Sequence, residues 1–388
     1  MRDILIRSNQ DLLYELEMVR NALASKDGLP PELDGYKEWL IHNCDFLTGA
    51  VEEIFEILST ADDSILGDLF SQTNVIARHL NFLNSTFVNP VLRTKDTDLM
   101  ALRVLSWLHS SHPSTKDTFF AVCGGMFACL PFRGLPTIYF APCSAHSQLL
   151  YLPLLFHEFG HVLYAIHKAE MDSLVKELQK KIAASLQPTV IRNDRYSQDA
   201  TRRLDEIVVT WFDWTQELFC DAVGLLIGGP AFLHAFSMCC RKLGREEFHL
   251  PQESLVFRTH PVSWIRIKVL ALRAEEMGYS DIAAELRETW AEIASCFNIT
   301  EEYFGFFSDS FLTMINGTIN DMLVEAEPLD LRTAAADGNS PVWLFNQAWD
   351  RFLCNTADFS AWEDNAVKEF LAGSESRRMT PVAGVVAL

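Results

Sequence analysis

Basic residues are scarce. The 388-residue chain carries 32 Lys and Arg against 52 Asp and Glu, a formal net charge of -20. That balance argues against a phosphate-backbone partner, although a local basic patch can coexist with an acidic total. Helix breakers are scarce too. There are 18 Gly and 15 Pro, below the usual combined share of about 12%. Few breakers in a long chain favour helices. Uninterrupted apolar runs are also missing. Gly134–Phe156 is broken by Pro136, Pro142 and Pro153, and Ala222–Cys240 by Gly228-Gly229-Pro230. A membrane helix needs about 20 mostly apolar residues, so both stretches read as core segments and no stable membrane span is expected. Met1 to Arg20 lacks the charged, apolar and small-residue pattern of a signal peptide. The nine cysteines are odd in number and show no framework spacing. They are expected to be reduced thiols in a cytoplasmic protein, with Cys239-Cys240 a core pair. The glycosylation sequons at Asn84, Asn298 and Asn316 then carry no weight. There is no GxSxG element, no cysteine with an obvious histidine partner and no GxxxxGK[ST] loop. A nucleophilic hydrolase and a phosphate-loop nucleotide enzyme are disfavoured accordingly.

What is present is a globular composition, 49% apolar and 22% charged. No repeat of 20 to 50 residues is visible. Apolar residues recur at helical spacing in Leu12, Leu13, Leu16 and Val19, then through Tyr36–Leu58, Ile65–Phe87 and Asp98–His109. Ser111-His112-Pro113-Ser114 is a breaker and a candidate boundary. Beyond it the texture changes, with Gly124-Gly125 and a short β-type run at Thr137–Phe140. A long helical pattern begins at Gln148 and runs to about Leu186. Gln187–Ser197 is a polar connector, or a lid carrying Arg192 and Arg195. Further helices are expected over Arg202–Ile227 and Pro261–Glu276, in most of 280–372, and not in the loose tail Met379–Leu388. The fold class is mainly α with a small β-sheet.

The strongest motif is His157-Glu158-Phe159-Gly160-His161. Histidines at i and i+4 lie on one helical face and offer two imidazole nitrogens to one metal. Glu158 can then reach an activated water as general base. The flanks Tyr151–Phe156 and Val162–Tyr164 are apolar, the dry surround that inward-pointing ligands need. A catalytic zinc takes three protein ligands and keeps one open position. Two residues compete to be the third. His167 follows His161 by six residues, but Tyr164 stands where a glycine would let the chain leave the helix. If the helix continues, residue 167 is turned about 240° from 161. Glu217, in Trp214-Thr215-Gln216-Glu217-Leu218-Phe219-Cys220-Asp221, lies on a second helix and is preferred. Asp221 is one turn later, placed to hold a ligand histidine in its tautomer. Two carboxylates at i and i+4 repel unless a cation sits beside them. Thr259-His260-Pro261 then opens another helix, with Arg266 downstream. His260 is a candidate oxyanion donor or a helix-start cap, and Arg266 a candidate anchor for Asp221.

HEFGH, then ELFCD, then THPVSWIRI resembles the gluzincin zinc metallopeptidases. More narrowly it is similar to the family of the CAAX prenyl protease and the heat-shock membrane metalloprotease, without that family's membrane spans. The resemblance covers about 136–270. It implies Zn2+ held by His157, His161 and Glu217, Glu158 as general base, Asp221 and Arg266 behind the ligands, and His260 as the late catalytic histidine. It also implies a zincin-like core over 116–275, flanked by helical regions at 1–115 and 276–388. The expected activity is a soluble zinc metalloendopeptidase acting on a peptide or protein substrate. The competing expectation is a catalytically silent zinc-binding or helical scaffold protein. Thr137–Phe140 is a candidate edge strand for substrate, and Tyr151 and Tyr164 are weaker oxyanion candidates.

Overall fold

The computed structural model describes residues 1–60, 62–132, 134–190, 197–336 and 340–378. Arg192 and Arg195, and the tail from Met379, lie outside them. The described chain is mainly helical with one three-stranded sheet. It divides into two compact units. One comprises 1–106 and 117–146, the other 107–116 and 147–388.

In the first unit, helices Arg2–Ala24, Asp34–Thr60 and Leu66–Phe82 pack together. Each follows its helical apolar spacing and buries one stripe: Leu5, Leu12 and Leu16, then Tyr36, Leu40 and Val51, then Leu69 and Ile76. Asn9 crosses this core and donates to Thr73 at 3.1 Å. The Ile65–Phe87 pattern is not one regular helix. Pro90 has no N–H and its ring crowds the preceding turn, and the six residues Leu83–Val88 open into a wide π turn just before it.

The sheet belongs to this unit. Strands β1 (Phe120–Gly124), β2 (Ala128–Leu130) and β3 (Thr137–Ala141) take the order β1-β3-β2. β1 runs parallel to β3, and β2 antiparallel to it. The strand offered above as a substrate edge is therefore the central one, paired on both sides. Its burial agrees: Thr137, Ile138, Tyr139 and Ala141 are buried. A third strand cannot be read from β3 alone, because its partners come from elsewhere in the chain.

The second unit holds the motif helices. The pattern starting at Gln148 resolves into a short 3-10 turn, Leu152–Leu154, then the pentad helix Leu155–Ile166. The next helix, Lys168–Val190, follows after a single break at His167. The long helix Ser197–Gly228 packs against both. The Arg266 helix, Ser263–Glu276, packs on the long helix and on Ser280–Cys296. The described residues after 276 thus belong to one unit with the motif helices. Among the described residues, no helix is long and apolar enough to cross a membrane.

Candidate metal centre

The pentad helix is buried on nearly every face, including Phe156, Phe159, Val162 and Leu163. At Gly160 it lies tightly against the long helix. A Cβ there would lie 2.7 Å from the Cα of Cys220. Only glycine permits that approach, which brings Glu217 and Asp221 up to the two histidines. Gly160→Ala is expected to force the helices apart, lowering stability by about 1–3 kcal/mol as overpacked cores do. Urea unfolding and zinc titration of the variant check this. An unchanged midpoint together with unchanged affinity would show that the contact does not position the site.

His157, His161 and Glu217 each offer a ligand atom, and these atoms all lie within 4.8 Å of one another. His157 Nε2 is 3.4 Å from Glu217 Oε2, and His161 Nε2 is 3.5 Å from Glu217 Oε1. In a tetrahedral zinc site with bonds near 2.0–2.1 Å, ligand atoms stand about 3.3 Å apart. Glu217 Oε2 is buried without a hydrogen bond of normal geometry, and His157 Nε2 at 3.4 Å and Arg266 at 3.6 Å are the groups beside it. The donor set and its spacing fit a metal ion.

The residues behind the ligands hold them in place. His157 Nδ1 is 2.9 Å from Asp221 Oδ1, which aims Nε2 toward Glu217 and His161. Arg266 donates to both oxygens of Asp221, at 2.7 and 2.6 Å, and its guanidinium lies over the Phe236 ring at 4.6 Å. Arg266 also stands 3.6 Å from Glu217. It is thus one cation that the i, i+4 carboxylate pair requires.

Electrostatics separate the groups. For His157 in the metal-free chain, burial opposes the charged form, but the Asp221 and Glu217 carboxylates outweigh it and push the pKa up to about 10, so a metal would have to displace that proton to bind this ring. Burial, and then the His157 charge, push His161 down to about 4, which leaves a neutral imidazole with a lone pair to give. Burial opposes ionisation of Glu217, yet His157, Arg266 and His161 hold it below the usual carboxylate range. Burial opposes ionisation of Asp221 as well, and Arg266 overrides it. Glu158 has the opposite balance. Burial pushes it up to about 7, which suits a group that takes and returns a proton near neutrality.

His260 reaches the same carboxylate, with Nε2 3.4 Å from Glu217 Oε1 and its side chain half exposed. It stands three residues before the Ser263 helix rather than on it. Its loop is pinned to the long helix. Trp214 Nε1 donates to the Arg258 carbonyl at 2.9 Å, and Thr210 Oγ1 accepts from Phe257 N–H at 3.1 Å. Phe257 is held at φ 56°, a costly conformation for a bulky residue.

The other sequence candidates fall elsewhere. His167 caps the pentad helix and faces Glu325 at 3.8 Å, outside the ligand cluster. Tyr164 donates to Asp172 at 2.8 Å, and the Tyr151 hydroxyl takes a hydrogen bond from Lys242. Two contributors were not read from sequence. Gln216 bonds His161 Nδ1 at 3.1 Å. Asp213 stands one turn before Glu217, and burial followed by the Glu217 charge raises its pKa. The acidic spacing Asp213, Glu217, Asp221 was the available signal for the second. No family model matches the chain, and neither a curated protein nor a solved structure matches it.

Proposed function

We propose that the chain is a zinc metallopeptidase of the gluzincin class, hydrolysing peptide bonds within a peptide or protein substrate. The observation that carries the reading is the His157–His161–Glu217 cluster with Glu158 buried next to its first histidine. Two imidazoles and a carboxylate at tetrahedral spacing suit zinc, which leaves a fourth position open in such sites. Bound zinc supplies Lewis acidity toward a peptide carbonyl and acidifies water toward a pKa of about 7.

The chain's own groups do the rest. Glu158, with its pKa near 7, accepts a proton from the attacking water and returns it to the leaving amine. Asp221 keeps the His157 ring oriented through Nδ1, and Arg266 keeps Asp221 ionised. His260 is half exposed beside Glu217, placed to donate to the oxygen that gains charge. Mass-spectrometric mapping of cleavage in an unfolded-protein mixture, with parent and Glu158→Gln chains, tests the reading. Equal cleavage by the two would sink it.

A further inference from the structure

A cavity of about 880 Å3, far larger than a structural gap, is lined wholly by residues of the first unit. That is the size range of sites for organic ligands, about 300–1,000 Å3. One wall is the wide π turn and the residues that follow it, with Thr86, Arg93 and Lys95. π turns recur at functional positions in helices. The sheet contributes Leu130 and Phe140, and the turn after it Cys143. Here β1 and β3 run parallel and both end, at Gly124 and Ala141.

The charges on this lining do not cancel. Asp98 and His146 are buried and bonded to each other at 2.6 Å; burial opposes their charged forms, and the bond outweighs it, raising the His146 pKa and lowering that of Asp98. Asp98 is further held by the Lys95 backbone N–H at 2.9 Å. That leaves Arg93 and Lys95. Among the described residues, no carboxylate within ion-pair distance partners either side chain. In a chain of net charge -20, two exposed cations without an ion-pair partner on one cavity lining, against the single carboxylate Asp98, are a local excess of positive charge. The same lining includes the apolar side chains of Phe140, Leu130 and Val122. From two cations and an apolar patch in one lining, we infer that this cavity binds an organic anion, its acid group on Arg93 and Lys95 and its apolar part on Phe140 and Leu130. The site is separate from the candidate metal centre in every residue.

Cys143 gives the readout. It lines the cavity and is exposed, while Cys296 and Cys354 are exposed elsewhere in the chain. The probe is 8-anilinonaphthalene-1-sulfonate, an anionic aromatic, and its neutral counterpart is N-phenyl-1-naphthylamine. The full chain is alkylated with N-ethylmaleimide, and each cysteine is timed by peptide mass spectrometry. The sulfonate is expected to slow Cys143 and to leave Cys296 and Cys354 unchanged, whereas the neutral compound does not slow Cys143 at the same concentration. In Arg93→Gln/Lys95→Gln, the sulfonate should protect at least about tenfold less tightly, as loss of charged hydrogen bonds implies. Both residues are exposed, so the variant should fold, and unchanged Cys296 and Cys354 rates verify it. No protection by the sulfonate, equal protection by the neutral compound, or undiminished protection in the variant would each overturn the inference.

Discussion

Glu158→Gln is expected to abolish peptide hydrolysis while leaving metal binding intact. The amide is isosteric, so the buried pentad helix keeps its packing. It cannot accept a proton at neutral pH, and positioned acid–base groups supply about 10^2–10^4 in rate. Glu158 is not one of the three clustered ligand residues, so zinc content should stay at the parent level. The two readouts separate the roles. Lost zinc would make Glu158 a ligand or a structural residue, and full activity would remove it from the reaction.

The second large effect concerns stability. Arg266→Met should destabilise the metal-free chain by up to about 3–5 kcal/mol, the cost of breaking a buried ion pair, lessened by the His157 ring that stays 2.9 Å from Asp221. Asp221 is wholly buried, and Arg266 is the cation bonded to both of its oxygens. Replacing both partners, in Arg266→Met/Asp221→Leu, should recover much of that loss, because a buried pair exchanged for apolar groups is often close to neutral. The double variant should still bind zinc poorly, since His157 has lost the carboxylate at Nδ1. Urea unfolding in chelator, run beside zinc titration, checks both parts. A single variant within about 1 kcal/mol of the parent would mean that Asp221 is ionised by something other than Arg266.

These effects can be anticipated because much of the site is local in sequence. Two histidines four residues apart must share a helical face, and so must Glu217 and Asp221. The helix carrying Glu217 was legible from its apolar spacing, although the structure starts it at Ser197 rather than Arg202. What joins the two helices was less visible. Gly160 reads as a weak spot in a helix until Cys220 is seen against it, and nothing local couples residues 160 and 220. Gln216 is hidden for the same reason, since its partner lies 55 positions away. The sheet was legible only as a β-type run at Thr137–Phe140. Its central place depends on β1 and β2, which flank it in space but not in pattern. The break at His167 was not read either. It carries no glycine or proline, and the helical spacing continues through it.

Metal content is the most direct test of the site itself. Parent and Glu217→Ala chains, purified side by side without chelator, are analysed for bound metals by mass spectrometry, with circular dichroism confirming that both are folded. If the proposed zinc assignment is right, about one zinc per parent chain is expected, as one three-ligand site would hold, and a strongly reduced content in the variant. Zinc retained in full by Glu217→Ala, or absent from the folded parent chain, would contradict the assignment.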